Sequence, residues 1–235
     1  MNEQILYDRP LFPAQLNMSH PLTRGLVGCW VMNENSPNSM RVWDSSPYKN
    51  HGVVTGAQGR WQGRRFVGAG DFISIPDHDL WDSADFTLSI WTKQSAFAGN
   101  YWQRAFIAHN TTGGTANKWT FAHDGTATRL DWINTWPTAP NITSDAWTLS
   151  AGVWYCIGLT RIGNAFTFYK DGVANGTATE STALPNIAQP LTIGWAEGSP
   201  KTYDGIISLA LFYKLGNSAM AMKDLYLHPC DMFLR

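Results

Sequence analysis

The sequence has little charge and no long apolar run, and these absences exclude several classes of protein. Only 15% of the 235 residues are charged and the net charge is -1, so no basic run indicates a nucleic-acid partner. No apolar stretch reaches the roughly 20 residues of a membrane-spanning helix. The first twenty residues lack the apolar segment of a secretion signal. We therefore predict a protein made in a cytoplasm that binds neither nucleic acid nor membrane.

Cysteine is scarce and unpatterned. Cys29, Cys156 and Cys230 are an odd number at wide spacing, and no CxxC pair occurs. This spacing favours buried free thiols over a disulfide or a zinc site. We expect all three to be reduced and to take no part in chemistry.

The residue patterns of hydrolases are also missing. Retaining glycoside hydrolysis needs two carboxylates roughly 5 Å apart, and no two of the four glutamates are close in sequence. No GxSxG or comparable nucleophile motif occurs. Asp77, Asp79 and Asp82 cluster after a proline and are interpreted as a solvated loop. We predict that the protein is not an enzyme and has neither catalytic nor cofactor-binding residues.

Glycine, tryptophan and turn-forming residues are abundant, and short alternating segments recur along the chain. Residues 85–93 place Phe86, Leu88 and Ile90 on one face, and residues 154–161 predict a second long strand. Residues 219–227 predict one short helix that begins after Asn217 and Ser218. These features predict an all-β fold, a two-sheet antiparallel jelly-roll sandwich with one short C-terminal helix.

The chain is predicted to have an N-terminal arm, residues 1–25, and one β domain, residues 26–235. Pro10, Pro13 and Pro21 each lack the N–H that a sheet ladder uses, so the arm cannot form a central strand. The arm carries apolar residues without a helical or strand period. We expect it to lie across a neighbouring chain, where Leu6, Tyr7, Leu11 and Phe12 would bind.

Several segments in order resemble the laminin-G-like members of the concanavalin A-like lectin/glucanase superfamily. Typical motifs are a turn with DSS at residues 44–46 and NHG at 50–52, then DFTLSIWTK at 85–93, FYKDG at 168–172 and YDG at 203–205. The resemblance covers residues 26–227 and implies a concanavalin A-like jelly roll. It is less informative about function, because this fold hosts lectins, hydrolases and structural modules.

The resemblance also implies calcium as the one candidate cofactor. Asp44 stands where the family has a ligand carboxylate, and Asp71 and Asp204 lie near two other such positions, so these three are our candidate calcium ligands. Two further ligand positions are lost, because Val67 and Ser208 replace the family's aspartates. We therefore expect no required cofactor, and EDTA should change the melting temperature little.

Four tryptophans lie near turns in the irregular middle of the chain. They are Trp102, Trp132, Trp136 and Trp147. Three roles stay open for them: a sugar-stacking platform, a subunit interface, or a cap over the sandwich edge.

Two functions follow. The first is a non-enzymatic virion surface protein, either a capsid decoration or a tail-associated protein, because the sequence resembles stand-alone chains of tailed phages. Its partners would be copies of itself, in a trimer, and a capsid or tail protein. Deleting residues 2–20 should then leave melting nearly unchanged but abolish assembly. The alternative is a carbohydrate-binding lectin module that recognises host glycans.

Overall fold

The computed structural model describes residues 9–34, 36, 38–68, 70–95, 103–109, 119–124, 128–134, 141–196 and 201–234. Across these ranges the chain forms two antiparallel eight-stranded sheets, a two-stranded hairpin and one α-helix. This arrangement confirms the predicted jelly-roll sandwich. Within the described ranges, no helix is long and apolar enough to cross a membrane.

The strands are numbered along the chain. In order they are β1 (Leu26–Val31), β2 (Arg41–Val42), β3 (Gly52–Thr55), β4 (Gln58–Arg60), β5 (Gly63–Val67), β6 (Phe72–Ile75), β7 (Phe86–Gln94), β8 (Gln103–His109), β9 (Trp119–Asp124), β10 (Leu130–Asn134), β11 (Ile142–Thr143), β12 (Trp154–Ile162), β13 (Ala165–Lys170), β14 (Val173–Thr179), β15 (Leu191–Ile193), β16 (Trp195–Ala196), β17 (Lys201–Thr202) and β18 (Asp204–Tyr213). Two 3-10 helices (Pro21–Thr23 and Asp79–Asp82) and helix α1 (Ala219–Leu227) complete the elements.

The two eight-stranded sheets are called the back sheet and the front sheet, and they differ in strand order. The back sheet has the strand order β14-β13-β12-β7-β18-β5-β4, with β1 paired to β18. The front sheet has the order β11-β10-β9-β8-β15-β6-β3-β2. β2 and β4 are edge strands, and the turn between β2 and β3 adjoins the N-terminal arm. This corner of the sandwich carries the site described below.

The side chains of β7 point alternately to the two faces of the back sheet, and each face packs in its own apolar layer. Phe86, Leu88 and Ile90 belong to the core between the sheets, as predicted. Trp91 faces the other way, into a second apolar layer under α1, where its ring stacks on Tyr226 at 5.7 Å. Successive strand residues point to opposite faces, so one strand contributes to both layers.

Helix α1 begins where the sequence predicts. The Ser218 hydroxyl accepts a hydrogen bond from the Ala221 N–H at 3.3 Å and caps the first turn. Met222 and Leu225 are buried against the back sheet. The three cysteines all lie in the described ranges, where they are buried thiols outside any disulfide, as predicted.

The described part of the arm packs on its own domain, whereas the sequence predicts an arm that lies across a neighbouring chain. Asn17 donates its N–H to the Met232 carbonyl at 2.8 Å, and Leu234 donates to the Gln15 carbonyl at 2.8 Å. Leu16 is buried beside Phe233 in the layer under the back sheet. The prolines do not prevent this, because the arm pairs with the C-terminal tail through an isolated bridge rather than a continuous ladder.

Candidate functional site

A fully buried carboxylate, Asp44, holds the turn formed by residues 44–51. Its Oδ1 accepts hydrogen bonds from the backbone N–H groups of Cys29 and Ser46, both at 2.8 Å. Its Oδ2 accepts from the Ser46 hydroxyl at 2.7 Å and from the Asn50 N–H at 2.8 Å. Burial raises the pKa of Asp44, and the hydrogen bonds oppose that shift. The backbone of the turn is thereby tied to β1.

The N-terminal arm crosses this turn and encloses a cavity with it. The Ser45 hydroxyl donates to the Ala14 carbonyl at 2.9 Å, and the Phe12 ring meets the Trp43 ring edge-on at 6.3 Å. A cavity of about 290 Å³ opens between arm and turn, and it is lined by Ala14, Gln15, Leu16, Met18, Ser45, Pro47 and Lys49. Its volume is at the lower end for small-molecule sites.

Trp43 is the central exposed ring of this corner. It keeps 40% of its surface exposed although its neighbours hold it on three sides. The His51 ring lies 4.5 Å from it, and the Arg41 guanidinium lies 5.5 Å from the ring centroid. Such contacts restrain the ring and leave part of its surface open, which reduces the entropy lost when a ligand binds to that part. We call this region the arm–turn surface: the cavity together with Phe12, Arg41, Trp43, Tyr48, Lys49 and His51.

Tyr48 is the second partly exposed ring on the arm–turn surface. Its hydroxyl accepts a hydrogen bond from the Lys214 ammonium at 3.2 Å, and the same ammonium lies 5.8 Å from the ring centroid. The His78 ring meets Tyr48 at right angles, with 5.6 Å between the centroids. Tyr48 is therefore positioned by a lysine and a histidine from distant segments, whereas Arg41 and His51, which restrain Trp43, are near it in sequence.

His51 is held in its neutral form by the turn. Its Nδ1 accepts a hydrogen bond from the Asp44 N–H at 3.0 Å, which a protonated ring cannot do. Burial lowers the pKa of His51, and Arg41 and Lys49 lower it further, while Asp44 acts in the opposite direction.

We expect stability to fall as the pH falls from about 7 to about 5, in part because of His51. Its folded-state pKa lies below the unfolded value of 6.5, so the unfolded chain binds more protons in this window. Urea denaturation at stepped pH measures the effect. His51→Gln should weaken the pH dependence, whereas His228→Gln, at an exposed histidine, should not. Equal pH dependence in wild type and His51→Gln would contradict this role.

The three candidate calcium ligands are not brought into one ligand set. Both carboxylate oxygens of Asp44 accept hydrogen bonds from groups of the turn and of β1. Asp71 Oδ2 accepts a hydrogen bond from the Val67 N–H at 2.8 Å, and Asp204 pairs with Arg65 at 2.8 Å. Among the residues that the structure describes, no three His, Cys, Asp or Glu side chains are placed to hold a metal ion. That folding requires no calcium stays a prediction.

Two of the four candidate platform tryptophans lie in the described ranges, and neither offers an exposed ring. Trp132 is fully buried between the sheets, where it stacks on Trp119 at 5.2 Å. The prediction is corrected for this residue, because β10 turns it inward opposite Phe121. Trp147 is 7% exposed, belongs to the main apolar core and packs edge-on against Tyr155. Trp102 and Trp136 lie outside the described residues.

Of the four predicted partner-binding residues of the arm, two lie within the described residues. Leu6 and Tyr7 lie outside the described residues. Leu11 is 89% exposed, whereas Phe12 is half-buried against Trp43. Of the two described candidates, Leu11 is therefore a free apolar side chain and Phe12 supports the arm–turn surface.

The acidic loop is less solvated than the sequence indicates. Asp82 is nearly buried, and its Oδ1 lies 2.9 Å from Nδ1 of the buried His109. Nε2 of His109 lies 2.8 Å from the Gln189 carbonyl oxygen and 3.4 Å from Asp77. The histidine thus ties the loop to the end of β8 and to the segment before β15. The interpretation as a solvated loop is wrong for Asp82, because β8 brings a histidine to it.

Sequence reasoning missed the arm–turn surface, although one signal pointed to it. Arg41 and Trp43 stand two residues apart at a strand end, and such residues share a face. The other members come from the arm and from the far end of the turn. Their proximity depends on folding and is not visible in local spacing.

The two antiparallel sheets and the single short helix define a concanavalin A-like sandwich. A family profile described as Laminin_G_3, concanavalin A-like lectin/glucanases superfamily, matches residues 67–216. The chain belongs to this family, which confirms the resemblance seen in the sequence motifs. The arm and the 44–51 turn lie outside the matched residues, so the family match does not describe the arm–turn surface.

Solved structures share the fold at low sequence identity. A Trypanosoma rangeli sialidase in complex with sialic acid matches with a TM-score of 0.68 and 17% identity over 89% of this chain. The match covers 34% of that chain, so this protein spans about a third of the sialidase's length. At this identity the likeness shows the fold alone. A search of curated protein sequences found no match.

Two further matched structures are single domains of other proteins. Domain 4 of AbnA, an extracellular arabinanase from Geobacillus stearothermophilus, was solved in complex with arabinotriose. It matches with a TM-score of 0.61 and 16% identity, over 86% of this chain and 98% of that domain. The binding domain of Paraclostridial Mosquitocidal Protein 1 matches with a TM-score of 0.63 and 16% identity, over 87% of this chain and 52% of that chain.

Proposed function

We propose that this protein is a non-catalytic carbohydrate-binding module and that the arm–turn surface is its binding site. The observation that carries the proposal is the half-exposed Trp43 ring, held between His51 and Arg41 beside a cavity. An exposed, restrained ring offers a flat apolar face to a sugar ring. Polar groups of the cavity, including the Lys49 ammonium, would orient the hydroxyl groups.

One structural relative supports the proposal that the protein binds carbohydrate. The arabinanase domain that matches over almost its whole length was solved with an oligosaccharide, and it is a separate domain rather than a complete hydrolase. The sequence also lacks paired glutamates and a nucleophile motif. Recognition without turnover is therefore the function that we infer.

Trp43→Ala is expected to weaken binding of the best saccharide from a glycan array at least about tenfold, because the stacking face is lost. The variant should stay folded, with a melting temperature lower by about 2–8 °C, because the loss of the covered part of the Trp43 ring costs about 1–2 kcal/mol. Binding is measured by calorimetry after the array identifies the saccharide.

Trp61→Ala is the matched control. Trp61 is also an exposed tryptophan, 71% exposed, but it lies outside the arm–turn surface. Its replacement should leave binding unchanged. An array without any bound glycan would contradict the function, and equal loss in both variants would contradict the site.

A virion surface protein that assembles through its arm is the second candidate function. Its support is the free apolar side chain of Leu11, which is 89% exposed. In this reading the protein is a trimer and attaches to a capsid or tail protein of a phage particle. Light scattering on wild type and Leu11→Glu tests it: an oligomer that the substitution dissociates supports assembly, and a wild-type monomer contradicts self-assembly through the arm.

A further inference from the structure

The chain segment that carries most of the arm–turn surface is more positively charged than the whole chain. Residues 41–65 contain five cationic side chains and a single carboxylate, that of Asp44, while the full chain has a net charge of -1. Asp44 is buried, and its oxygens are occupied by hydrogen bonds within the turn. The exposed charge within residues 41–65 is therefore positive.

Two of the five cations already have acidic partners. Arg64 pairs with Glu34 at 3.3 Å, and Arg65 pairs with Asp204 at 2.8 Å. The other three, Arg41, Lys49 and Arg60, form no ion pair within the described ranges. Arg41 and Lys49 belong to the arm–turn surface, so the site holds two exposed cations that are available to a ligand.

Both cations are partly ordered before a ligand arrives. The Arg41 guanidinium lies 5.5 Å from the centroid of the Trp43 ring, and the Lys49 ammonium lies 3.5 Å from the Ser45 carbonyl oxygen. A side chain that is already restrained loses less entropy when it binds. A carboxylate accepts charge-assisted hydrogen bonds from such groups, and these are stronger than bonds between neutral partners.

We propose that the arm–turn surface selects an acidic saccharide, whose sugar ring stacks on Trp43 and whose carboxylate is bound by Arg41 and Lys49. This inference rests on the proposed carbohydrate-binding function and adds the charge of its ligand. A neutral sugar would stack equally well on Trp43 but would leave the two cations without an anionic partner. The chemistry named is a carboxylate on a sugar ring, which sialic acids and uronic acids both supply.

Calorimetry with matched saccharide pairs tests the proposal. One pair is 3′-sialyllactose and its carboxyl methyl ester, and the other is trigalacturonate and its trimethyl ester; within each pair, the second member lacks only the carboxylate charge. The acidic member of at least one pair should bind at least about tenfold tighter than its neutral partner. The difference should shrink at high salt, because exposed charge pairs are screened.

Variants distinguish this inference from the function on which it rests. Lys49→Gln and Arg41→Gln should each reduce the preference for the acidic sugar, whereas Lys223→Gln, on the exposed side of α1, should not. If acidic and neutral members bind equally and both need Trp43, the carbohydrate site stands and the charge selection is wrong. If no saccharide binds, both proposals fail. Tighter binding of a single-stranded oligothymidylate than of any saccharide would overturn the choice of ligand.

Discussion

Replacing Asp44 by alanine is expected to lower the free energy of unfolding by about 4 kcal/mol, because several N–H donors lose their acceptor at once. The N–H groups of Cys29, Ser46 and Asn50 would remain without that partner. For a chain of this size the loss corresponds to a melting temperature lower by about 8–16 °C. Urea denaturation and thermal melting measure the two quantities.

Two further variants make this prediction specific. Asp44→Asn should be intermediate, because an amide keeps one acceptor oxygen for two of the N–H donors. Asp204→Ala is the matched control, since it removes a partly exposed ion pair with Arg65 and should cost less than about 1 kcal/mol. If Asp44→Ala and Asp204→Ala were equally stable, the buried turn network would not be the anchor that we describe.

Deleting residues 2–18 is expected to destabilise the sandwich by about 3–5 kcal/mol rather than leave its melting unchanged. The deletion removes Leu16 from the layer under the back sheet and uncovers Phe233 of the C-terminal tail. It also removes the hydrogen bonds that the arm exchanges with Met232 and Leu234. The melting temperature should fall by about 6–20 °C.

Two leucines of the arm test whether the loss of stability comes from the loss of a buried side chain or from the loss of any leucine. Leu16→Ala should cost about 2–3 kcal/mol, because Leu16 is only 9% exposed. Leu11→Ala should change stability by less than about 0.5 kcal/mol, because Leu11 is free in solvent. Unchanged melting of the truncated protein would restore the picture of an arm independent of its own domain.

The regular parts of the fold were predictable from local pattern. In β7 the alternation of Phe86, Leu88 and Ile90 fixes which face meets the second sheet, because a strand has a period of two. The cap at Ser218 likewise predicts where α1 begins. These features depend on neighbours along the chain and can therefore be seen in the sequence.

The candidate site and the arm were not predictable in this way. Leu16 finds its place through a tail near the other end of the chain, and a proline-rich sequence gives no sign of that pairing. The turn-rich surroundings of Trp132 predict a platform, interface or capping role, although β10 places it in the core. Trp43 acquires its role from Phe12 and His51, which only the fold brings to it.

An NMR titration of isotope-labelled protein with the strongest saccharide of the glycan array tests the central claim most directly. We predict that the perturbed backbone amides cluster in residues 12–18 and 41–51 and that the indole N–H of Trp43 shifts with them. The same saccharide should leave the amides of α1 unperturbed. Perturbations confined to other parts of the sandwich, with the Trp43 indole unchanged, would contradict a binding site at the arm–turn surface.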